Sequence, residues 1–362
     1  MNNLAALGQN LSSEPSKCKK TDLFIAGIGA VGQTLIRQLR SLDQSDSFNI
    51  LGVCNSKRTL WLNGHSSPID KKTVSAGEPK KWGAIFDKLA PAYDRNLVFI
   101  DATGDQEVAE LYLKLLNKGI HLVTPSKIAN TRKQIYFELL QKTADKNDVH
   151  FLYETNVGAG LPVIRTVRDL VSSGDSIIEI SGVLSGTMSY IFSQLDEGHS
   201  FSEVVLRARQ LGYAEPDPRD DLSGEDVARK MMILSRVSGH HVERDELDVE
   251  SVTPEWMESL NSASFLKRLP EVDTMWKERL NRLREKGKTL RYTGVLNSDG
   301  IRVGLQEVDK DSPLGRLNGT NNLIQIKSER YSDQPMIIQG PGAGKEVTAA
   351  GVLSDILKIA HG

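Results

Sequence analysis

One segment of the chain, Gly212 to Lys230, concentrates residue types that can do chemistry. It reads GYAEPDPRDDLSGEDVARK and holds six carboxylates, two prolines and a lysine at its end. Carboxylates this close repel one another unless a cation meets them, which predicts a substrate that bears an amine. Asp226 and Lys230 stand four residues apart, on one face of a predicted helix. The alternative for this pair is an ordinary salt bridge on a helix surface.

A second segment predicts a dinucleotide cofactor. GIGAVG follows a predicted strand, Leu23 to Ala26, and opens a predicted helix, Val31 to Leu42. In that context the first glycine allows a tight turn, the second lets the backbone approach a pyrophosphate, and the third permits close packing of helix on strand. The helix N-terminus supplies N–H donors for the phosphates. The cofactor-binding positions predicted here are Gly27, Ile28, Gly29, Ala30, Val31 and Gly32. The alternative is a glycine-rich turn with no ligand.

The end of the second predicted strand favours NADP(H) over NAD(H). An acidic residue there would bind the ribose 2′-hydroxyl, whereas basic residues accommodate a 2′-phosphate. The sequence has Asn55, Ser56, Lys57 and Arg58 and no acid. The alternative is a solvated loop with two surface cations. Thr103 follows a further predicted strand at the edge where cofactor contacts usually fall, and it is a candidate contact to the cofactor or a plain turn threonine.

Three more segments, each considered alone, are explained by ordinary structural roles. Lys127 in TPSK follows a strand, ETNVGAGLP from Glu154 is a glycine-rich turn, and SGTMSYIF from Ser185 enters a helix. Alone, they are typical of a hinge, a turn and a helix cap. Together with the acidic segment and the C-terminal GAGKEVTAAGVLSDIL, they resemble homoserine dehydrogenase. The resemblance runs from about Leu23 to Ile359, and it is strongest to the dehydrogenase half of aspartokinase–homoserine dehydrogenase fusions.

This resemblance implies reversible, NAD(P)H-linked reduction of L-aspartate 4-semialdehyde to L-homoserine. Hydride delivery to an aldehyde builds charge on its oxygen, so a cation and proton donor must stand nearby. The resemblance makes Lys230 the proton donor, held by Asp226, and places Lys127 between nicotinamide and substrate. It implies that the substrate is bound by Glu215, Asp221, Thr187, Gly186 and Tyr213, and that Gly344 contacts the cofactor. A monovalent cation, usually sodium, would be held at Glu154, Val157, Ala159 and Leu161, mostly through backbone carbonyls.

Alternation of predicted strands and helices up to Thr155 predicts an α/β fold with a Rossmann-type parallel sheet. Mixed strands and helices after it predict a second, α+β domain. We expect a disordered tail at 1–20, a dinucleotide-binding domain at 21–155 and a catalytic and dimerisation domain at 156–339. The segment 340–362 is expected to pack back on the first domain. The stretch from Trp61 to Tyr93 is polar and irregular, and its structure is not predicted.

Composition narrows the function classes. The chain has 362 residues, 39% hydrophobic and 25% charged, with a net charge of -2. No charge excess indicates nucleic acid as a partner, and no apolar run is long enough to span a bilayer. Two cysteines, Cys18 and Cys54, are typical of a reducing cytoplasm. By resemblance we expect a homodimer, no kinase activity because the stretch before Leu23 is short, and no feedback by L-threonine through a C-terminal regulatory domain.

Two other functions remain open from the residues. An aspartate-semialdehyde dehydrogenase would act on the same aldehyde but needs a nucleophilic thiolate, and neither cysteine stands in such a context. A non-catalytic NADP-binding regulator would keep the glycine segment. It would not need the joint presence of Lys127, Asp226 and Lys230.

Overall fold

The structure is a computed structural model that describes residues 20–42, 47–62, 69–93 and 95–361. The tail predicted to be disordered, including Cys18, lies outside the described residues apart from Lys20. Two β-sheets with helices packed on them account for the described chain. This confirms the predicted fold class, a parallel α/β sheet followed by a mixed α+β domain.

The first sheet has seven strands within the described residues, in the order β4-β3-β2-β1-β5-β6-β7. Strands β1, β2, β5, β6 and β7 run parallel, and their central members are apolar and fully buried, as in parallel sheets covered on both faces. The strands are β1 Thr21–Ala26, β2 Phe48–Cys54, β3 Arg58–Trp61, β4 Glu78–Pro79, β5 Leu97–Asp101, β6 His121–Val123 and β7 Phe151–Leu152.

Strands β3 and β4 give structure to a stretch that the sequence pattern left unassigned. Both pair antiparallel at the edge of the sheet. The turn from β2 into β3 is fixed by Asn55, whose Oδ1 accepts the amides of Lys57 and Arg58 at 2.8 and 2.7 Å. Arg58 therefore begins a strand, where a solvated loop was the alternative. These edge strands are too short for a periodic signal.

The predicted helix Val31 to Leu42 is present as Ala30–Arg40. Residue periodicity also predicts one helix from Gln106 to Asn117 and a helical stretch from Pro254 to Gly287, but the structure has two short helices in the first and three in the second. In the latter, the Asn261 side chain caps a new helix by accepting the Ser264 amide at 2.9 Å. The helices are α1 Ala30–Arg40, α2 Lys71–Ser75, α3 Trp82–Leu89, α4 Gln106–Ala109, α5 Tyr112–Asn117, α6 Gln134–Lys146, α7 Val163–Ser172, α8 Gly186–Asp196, α9 Phe201–Gln210, α10 Arg219–Leu222, α11 Glu225–Val237, α12 Glu255–Glu258, α13 Ser262–Arg268, α14 Asp273–Arg284 and α15 Lys345–His361.

The second sheet has six strands in the described chain, in the order β13-β12-β8-β10-β11-β9. Its pairs are antiparallel except β11 with β9. The strands are β8 Ile177–Val183, β9 Asp248–Val249, β10 Lys288–Asn297, β11 Gly300–Asp309, β12 Asn321–Ser328 and β13 Met336–Pro341. Strand β13 was not predicted, and it carries the second sheet past the expected boundary at residue 339.

The C-terminal helix α15 lies against the first domain. Arg37 of α1 contacts Glu346 at 2.6 Å, and the Gln38 side chain donates to the Glu346 carbonyl at 3.1 Å. Val352 and Ile356 of α15 are fully buried in one core cluster with β1 and α1. The chain thus crosses from the first domain to the second and returns, which couples the two domains near Glu154.

Candidate active site and nucleotide-binding turn

The acidic segment leads into α11, which presents Asp226 and Lys230 on one face. The helix starts at Gly224, whose φ is +78°, and a Cβ there would fall 1.8 Å from Tyr292 Oη. A glycine is therefore required at this corner. Lys230 is 8% exposed, lies 2.8 Å from Asp226 Oδ2 and donates to the Leu184 carbonyl at 2.6 Å. A lysine this buried, with fixed partners, is unlike an exposed surface pair.

Lys127 reaches the same carboxylate from the other domain. It stands in the loop that follows β6, and its Nζ lies 3.3 Å from Asp226 Oδ1. Asp226 thus bridges two ammonium groups. Partial burial opposes ionisation of this carboxyl, but the two lysines prevail and hold the pKa of Asp226 well below its usual range. Burial lowers the pKa of Lys127, and the Asp226 charge works against that shift.

This arrangement can stabilise an oxyanion and deliver a proton. Two cations are held side by side, and the carboxylate between them stays ionised over the whole physiological range. Each oxygen of Asp226 serves one lysine, so both ammonium groups keep further N–H donors for a ligand. Lys127, Asp226 and Lys230 come from two domains, so they lie where those domains meet, and this meeting point is called the lysine cleft.

The acidic loop forms a second polar cluster beside this cleft. Thr187 Oγ lies 2.6 Å from the Tyr213 carbonyl and 3.0 Å from Asp221 Oδ1, and the Glu215 amide donates to Asp221 Oδ2 at 2.8 Å. Burial raises the pKa of Asp221. The side chains of Glu215 and Tyr213 are exposed. Gly186 begins α8 beside Thr187. The structure therefore brings all five predicted substrate residues together.

Two other acids of the segment, Asp217 and Glu225, have structural partners. Asp217 holds Arg219 at 2.6 Å, and Arg219 in turn donates to the Glu258 carbonyl at 3.2 Å. Glu225 pairs with Arg244. Both carboxylates are therefore engaged in contacts within the protein.

The glycine turn between β1 and α1 has the geometry that its pattern predicts. Gly27 has a φ of +99°, and a Cβ there would lie 2.6 Å from the Ala102 carbonyl; a Cβ on Gly32 would lie 2.0 Å from the Gly27 carbonyl. Gly29, in contrast, has no atom within 4 Å of where a Cβ would stand. Gly27 and Gly32 are therefore required for backbone packing, whereas Gly29 borders open space. Ile28 is buried in the core, and Ala30 and Val31 form the first turn of α1.

A cavity of about 400 Å³ opens in front of this turn. Gly27, Ile28, Gly29, Asn55 and Thr103 line it, as the sequence predicted for a cofactor site. Lys57 and Arg58 do not belong to that lining; both are exposed, and Arg58 donates to the Gly77 carbonyl at 3.4 Å.

Two lining lysines, Lys71 and Lys80, were missed by sequence reasoning. They lie in the stretch that had no predicted structure. The Lys80 ammonium contacts Glu107 at 3.1 Å and sits over the Trp82 ring. Because no helical or strand periodicity surrounds these two lysines, the sequence pattern could not place them at the cavity.

Thr103 sits above a buried polar network at the carboxyl ends of β5 and β6. Its hydroxyl donates to Asp101 Oδ1 at 2.6 Å, and the Tyr112 hydroxyl donates to Asp101 Oδ2 at 2.5 Å. Tyr112 Oη also lies 3.0 Å from Thr124 Oγ, at the start of the Lys127 loop. Burial raises the pKa of Asp101. Because the Thr103 proton is committed, its hydroxyl can only accept from a ligand.

The turn between β7 and α7 holds the four positions expected for a monovalent cation. Glu154 is 6% exposed and accepts the Arg165 amide at 2.9 Å, and its own amide donates to Asp355 at 3.0 Å. Val157 is fully buried, Ala159 adopts a φ of +52°, and Leu161 follows. Among the described residues, no group of three or more His, Cys, Asp or Glu side chains is placed to hold a metal ion. The ligands expected here are mostly backbone carbonyls.

Gly344, the remaining predicted cofactor residue, lies just before α15 with a φ of +124°. It is exposed, and it is separated in sequence by some three hundred positions from the glycine turn. In the part of the chain that the structure describes, no helix is long and apolar enough to cross a membrane.

A parallel sheet with a glycine turn, a cavity before it, and a lysine-lined cleft against a second domain together define a two-domain dinucleotide-binding protein. Comparison with family models gives its family. The homoserine dehydrogenase NAD-binding domain model matches residues 27–154, and the homoserine dehydrogenase model matches residues 162–357. The chain belongs to the homoserine dehydrogenase family.

Individual relatives agree with this assignment. The chain is 38% identical to the homoserine dehydrogenase of Paracoccidioides brasiliensis, over 93% of this chain and 97% of the relative. It is 38% identical to the bifunctional aspartokinase/homoserine dehydrogenase of Haemophilus influenzae, over 94% of this chain but 43% of the relative. The chain therefore spans less than half the length of such bifunctional relatives.

Among solved structures, a protein of unknown function from Candida auris matches with a TM-score of 0.87 and 37% identity, covering 94% of this chain and 98% of that chain. A hyperthermophilic archaeal homoserine dehydrogenase in complex with NADPH has the same fold, with a TM-score of 0.71 and 24% identity over 94% of this chain and 97% of that chain.

Proposed function

We propose that this protein catalyses the reversible NAD(P)H-dependent reduction of L-aspartate 4-semialdehyde to L-homoserine, in the biosynthesis of threonine, methionine and isoleucine. One observation carries the proposal most strongly. Asp226 holds Lys230 and Lys127, from the two domains, in one cluster at the cleft. A non-catalytic nucleotide-binding protein gains nothing from two lysines shared in this way.

In this mechanism the bound nicotinamide supplies the hydride, and the chain supplies the rest. Lys230 donates a proton to the aldehyde oxygen as negative charge develops there, which is general acid catalysis. Lys127 stabilises the same charge from the nucleotide-binding side. Asp226 orients both ammonium groups. In the oxidative direction, Lys230 takes the hydroxyl proton back.

The substrate's amine is assigned to the acidic loop. Glu215 is exposed and free to meet an ammonium group, and Asp221 fixes the loop through the Glu215 amide and Thr187. Burial raises the pKa of Asp221, and a substrate ammonium group beside it would lower that pKa again. Tyr213 and Gly186 complete the wall of the site.

NADP(H) is proposed as the preferred cofactor over NAD(H). The support is the absence of an acid after β2, the basic pair Lys57 and Arg58, and the lysines Lys71 and Lys80 in the cavity lining. The fold-level relative that binds NADPH is consistent with this proposal. Gly27, Gly29 and Gly344 are proposed to border the cofactor, with Thr103 accepting a hydrogen bond.

Sodium, a homodimer and a cytoplasmic location complete the proposal. The cation would be bound by the turn holding Glu154, Val157, Ala159 and Leu161, and it would fix the hinge between domains. Dimerisation is proposed through the second sheet, where β10 and β11 border a surface cavity of about 410 Å³. Light scattering at micromolar concentration tests the dimer; a mass of one chain would contradict it.

No observation favours an aspartate-semialdehyde dehydrogenase. Burial raises the pKa of Cys54 to about 12, so its thiol is not the ionised nucleophile that such an enzyme needs. The test is product analysis after two parallel incubations of the protein with L-aspartate 4-semialdehyde, one with NADPH and one with NADP and inorganic phosphate. L-Homoserine is the expected product. Phosphate-dependent reduction of NADP with loss of the aldehyde would show the other chemistry.

A further inference from the structure

Arg236 is a buried charge that the proposed chemistry does not use. It lies on α11, six residues after Lys230, and its side chain has no exposed surface. Burying a guanidinium is costly unless fixed acceptors meet it. The identity of those acceptors therefore indicates what the arginine does at this position.

Two of the three acceptors belong to the other domain. Arg236 Nη1 donates to the carbonyls of Asn130 and Arg132 at 2.8 and 2.7 Å, and Nη2 donates to the Val242 carbonyl at 2.9 Å. Asn130 is in the 3-10 turn Ala129–Thr131, which begins two residues after Lys127. That turn is tied directly to Lys127, because the Thr131 amide and hydroxyl both donate to the Lys127 carbonyl at 3.0 Å.

The remaining side of the loop is held by Asn156, at the boundary between the domains. The Asn130 side chain donates to Asn156 at 2.9 Å, and the Asn156 side chain donates to the Thr124 carbonyl at 3.1 Å. Glu243 of the second domain, 3.6 Å from Arg236, accepts the Gln134 amide at 3.0 Å. The backbone that carries Lys127 is thus fixed at one side by Asn156 and at the other by a side chain of α11.

A planar guanidinium suits this task. Its two outer nitrogens reach three carbonyls at fixed angles, which a lysine or an aliphatic side chain does not do. Asp226, Lys230 and Arg236 all lie on α11. Because α11 is rigid, Arg236 holds the backbone of Lys127 at a fixed distance from Asp226 and Lys230. Displacements of about 1 Å in such clusters change rates by roughly two orders of magnitude.

We propose that Arg236 is a positioning residue for the reaction: by holding the carbonyls of Asn130 and Arg132 against α11, it fixes Lys127 beside Asp226 and Lys230. The inference rests on the proposed function, since it acts through Lys127.

The test is a double-mutant cycle with Arg236→Met and Lys127→Ala, measured as kcat and KM in the reduction direction. Arg236→Met should lower kcat by roughly 10- to 100-fold, with the NADPH Kd little changed. In the Lys127→Ala background, the same substitution should have almost no further effect on kcat. Equal losses in both backgrounds, or an unchanged kcat in the single variant, would overturn the proposal.

Arg284→Met is the matched control. Arg284 also donates to two carbonyls, those of Leu195 and Asp196 at 2.9 and 3.0 Å, but it lies within the second domain alone. It should leave kcat unchanged. If Arg236→Met does not fold, Arg236→Lys decides the question in the same cycle, because it keeps the charge and loses the planar fork. Absence of turnover in the wild-type protein would refute the proposed function itself, whereas an active wild type with an additive cycle refutes only the role of Arg236.

Discussion

The nucleotide-binding turn and the lysine cleft stand at the same edge of the first sheet, but they are built in opposite ways. The turn is six consecutive residues, and its shape depends on Gly27 and Gly32, where a Cβ would clash with the backbone. The cleft joins Lys127 to Asp226 and Lys230 across a hundred positions of sequence and two domains. The turn is a local structure that a short pattern specifies. The cleft exists only once both domains are folded and correctly placed.

This difference predicts that substitutions in the cleft damage the chemical step, whereas those in the turn damage cofactor binding. The largest effect is expected for Lys230→Ala, which removes the proposed proton donor. We expect kcat to fall by about 10²- to 10⁴-fold, with the NADPH Kd nearly unchanged. Steady-state kinetics and a fluorescence titration with NADPH measure the two quantities.

Lys142→Ala is the control for this variant. Lys142 forms an exposed i,i+4 pair with Glu138 at 3.4 Å, which is the ordinary salt bridge that Asp226 and Lys230 would otherwise represent. If the two alanine variants have the same kcat, Lys230 has no catalytic role.

The turn is tested by Gly29→Ala. Its Cβ meets no protein atom within 4 Å, so the fold should tolerate it, but it would stand in the space expected for the pyrophosphate. Overpacking of about 1–3 kcal/mol corresponds to roughly a 5- to 150-fold weaker NADPH Kd. At saturating cofactor, kcat should be retained. Gly83→Ala, also without neighbours within 4 Å but outside the cavity lining, should bind NADPH normally; equal Kd values for the two variants would contradict the cofactor site.

A pH profile sharpens the account of the cleft. The Asp226 charge raises the pKa of Lys127 against the effect of burial. In Asp226→Asn that support is lost while the charge of Lys230 remains, so the pKa of Lys127 falls further. The alkaline limb of kcat/KM should therefore move to lower pH than in the wild type. An alkaline limb at an unchanged pH would show that Lys127 does not govern it.

A smaller effect is expected at the basic residues near the turn. Arg58→Ala should reduce the preference for NADPH over NADH by about tenfold, the worth of one charge-assisted hydrogen bond. Lys80→Ala is its counterpart inside the cavity. Preference retained by the first variant and lost by the second would assign the 2′-phosphate to Lys80, with the ratio of kcat/KM values as the measure.

The sequence predicted those parts of the molecule that rest on local patterns. The alternation of strands and helices, the glycine turn and the helix carrying Asp226 and Lys230 all follow from residue spacing. Strands β3 and β4 and the lysines Lys71 and Lys80 did not, because short edge strands lack periodicity. Arg236 could not be found either. Two of its three acceptors are backbone carbonyls about a hundred residues away, and a backbone carbonyl gives no residue-type signal in the sequence.

The central claim is that hydride transfer occurs at the cleft with Lys230 as proton donor. It is tested most directly by single turnover of L-aspartate 4-semialdehyde with NADPH that carries deuterium at both positions of the nicotinamide C4, followed by mass spectrometry of the product. The account predicts L-homoserine with one deuterium at C4, formed by the wild-type protein at a rate that Lys230→Ala cannot approach. Unlabelled homoserine, no homoserine, or equal rates for the two proteins would contradict it.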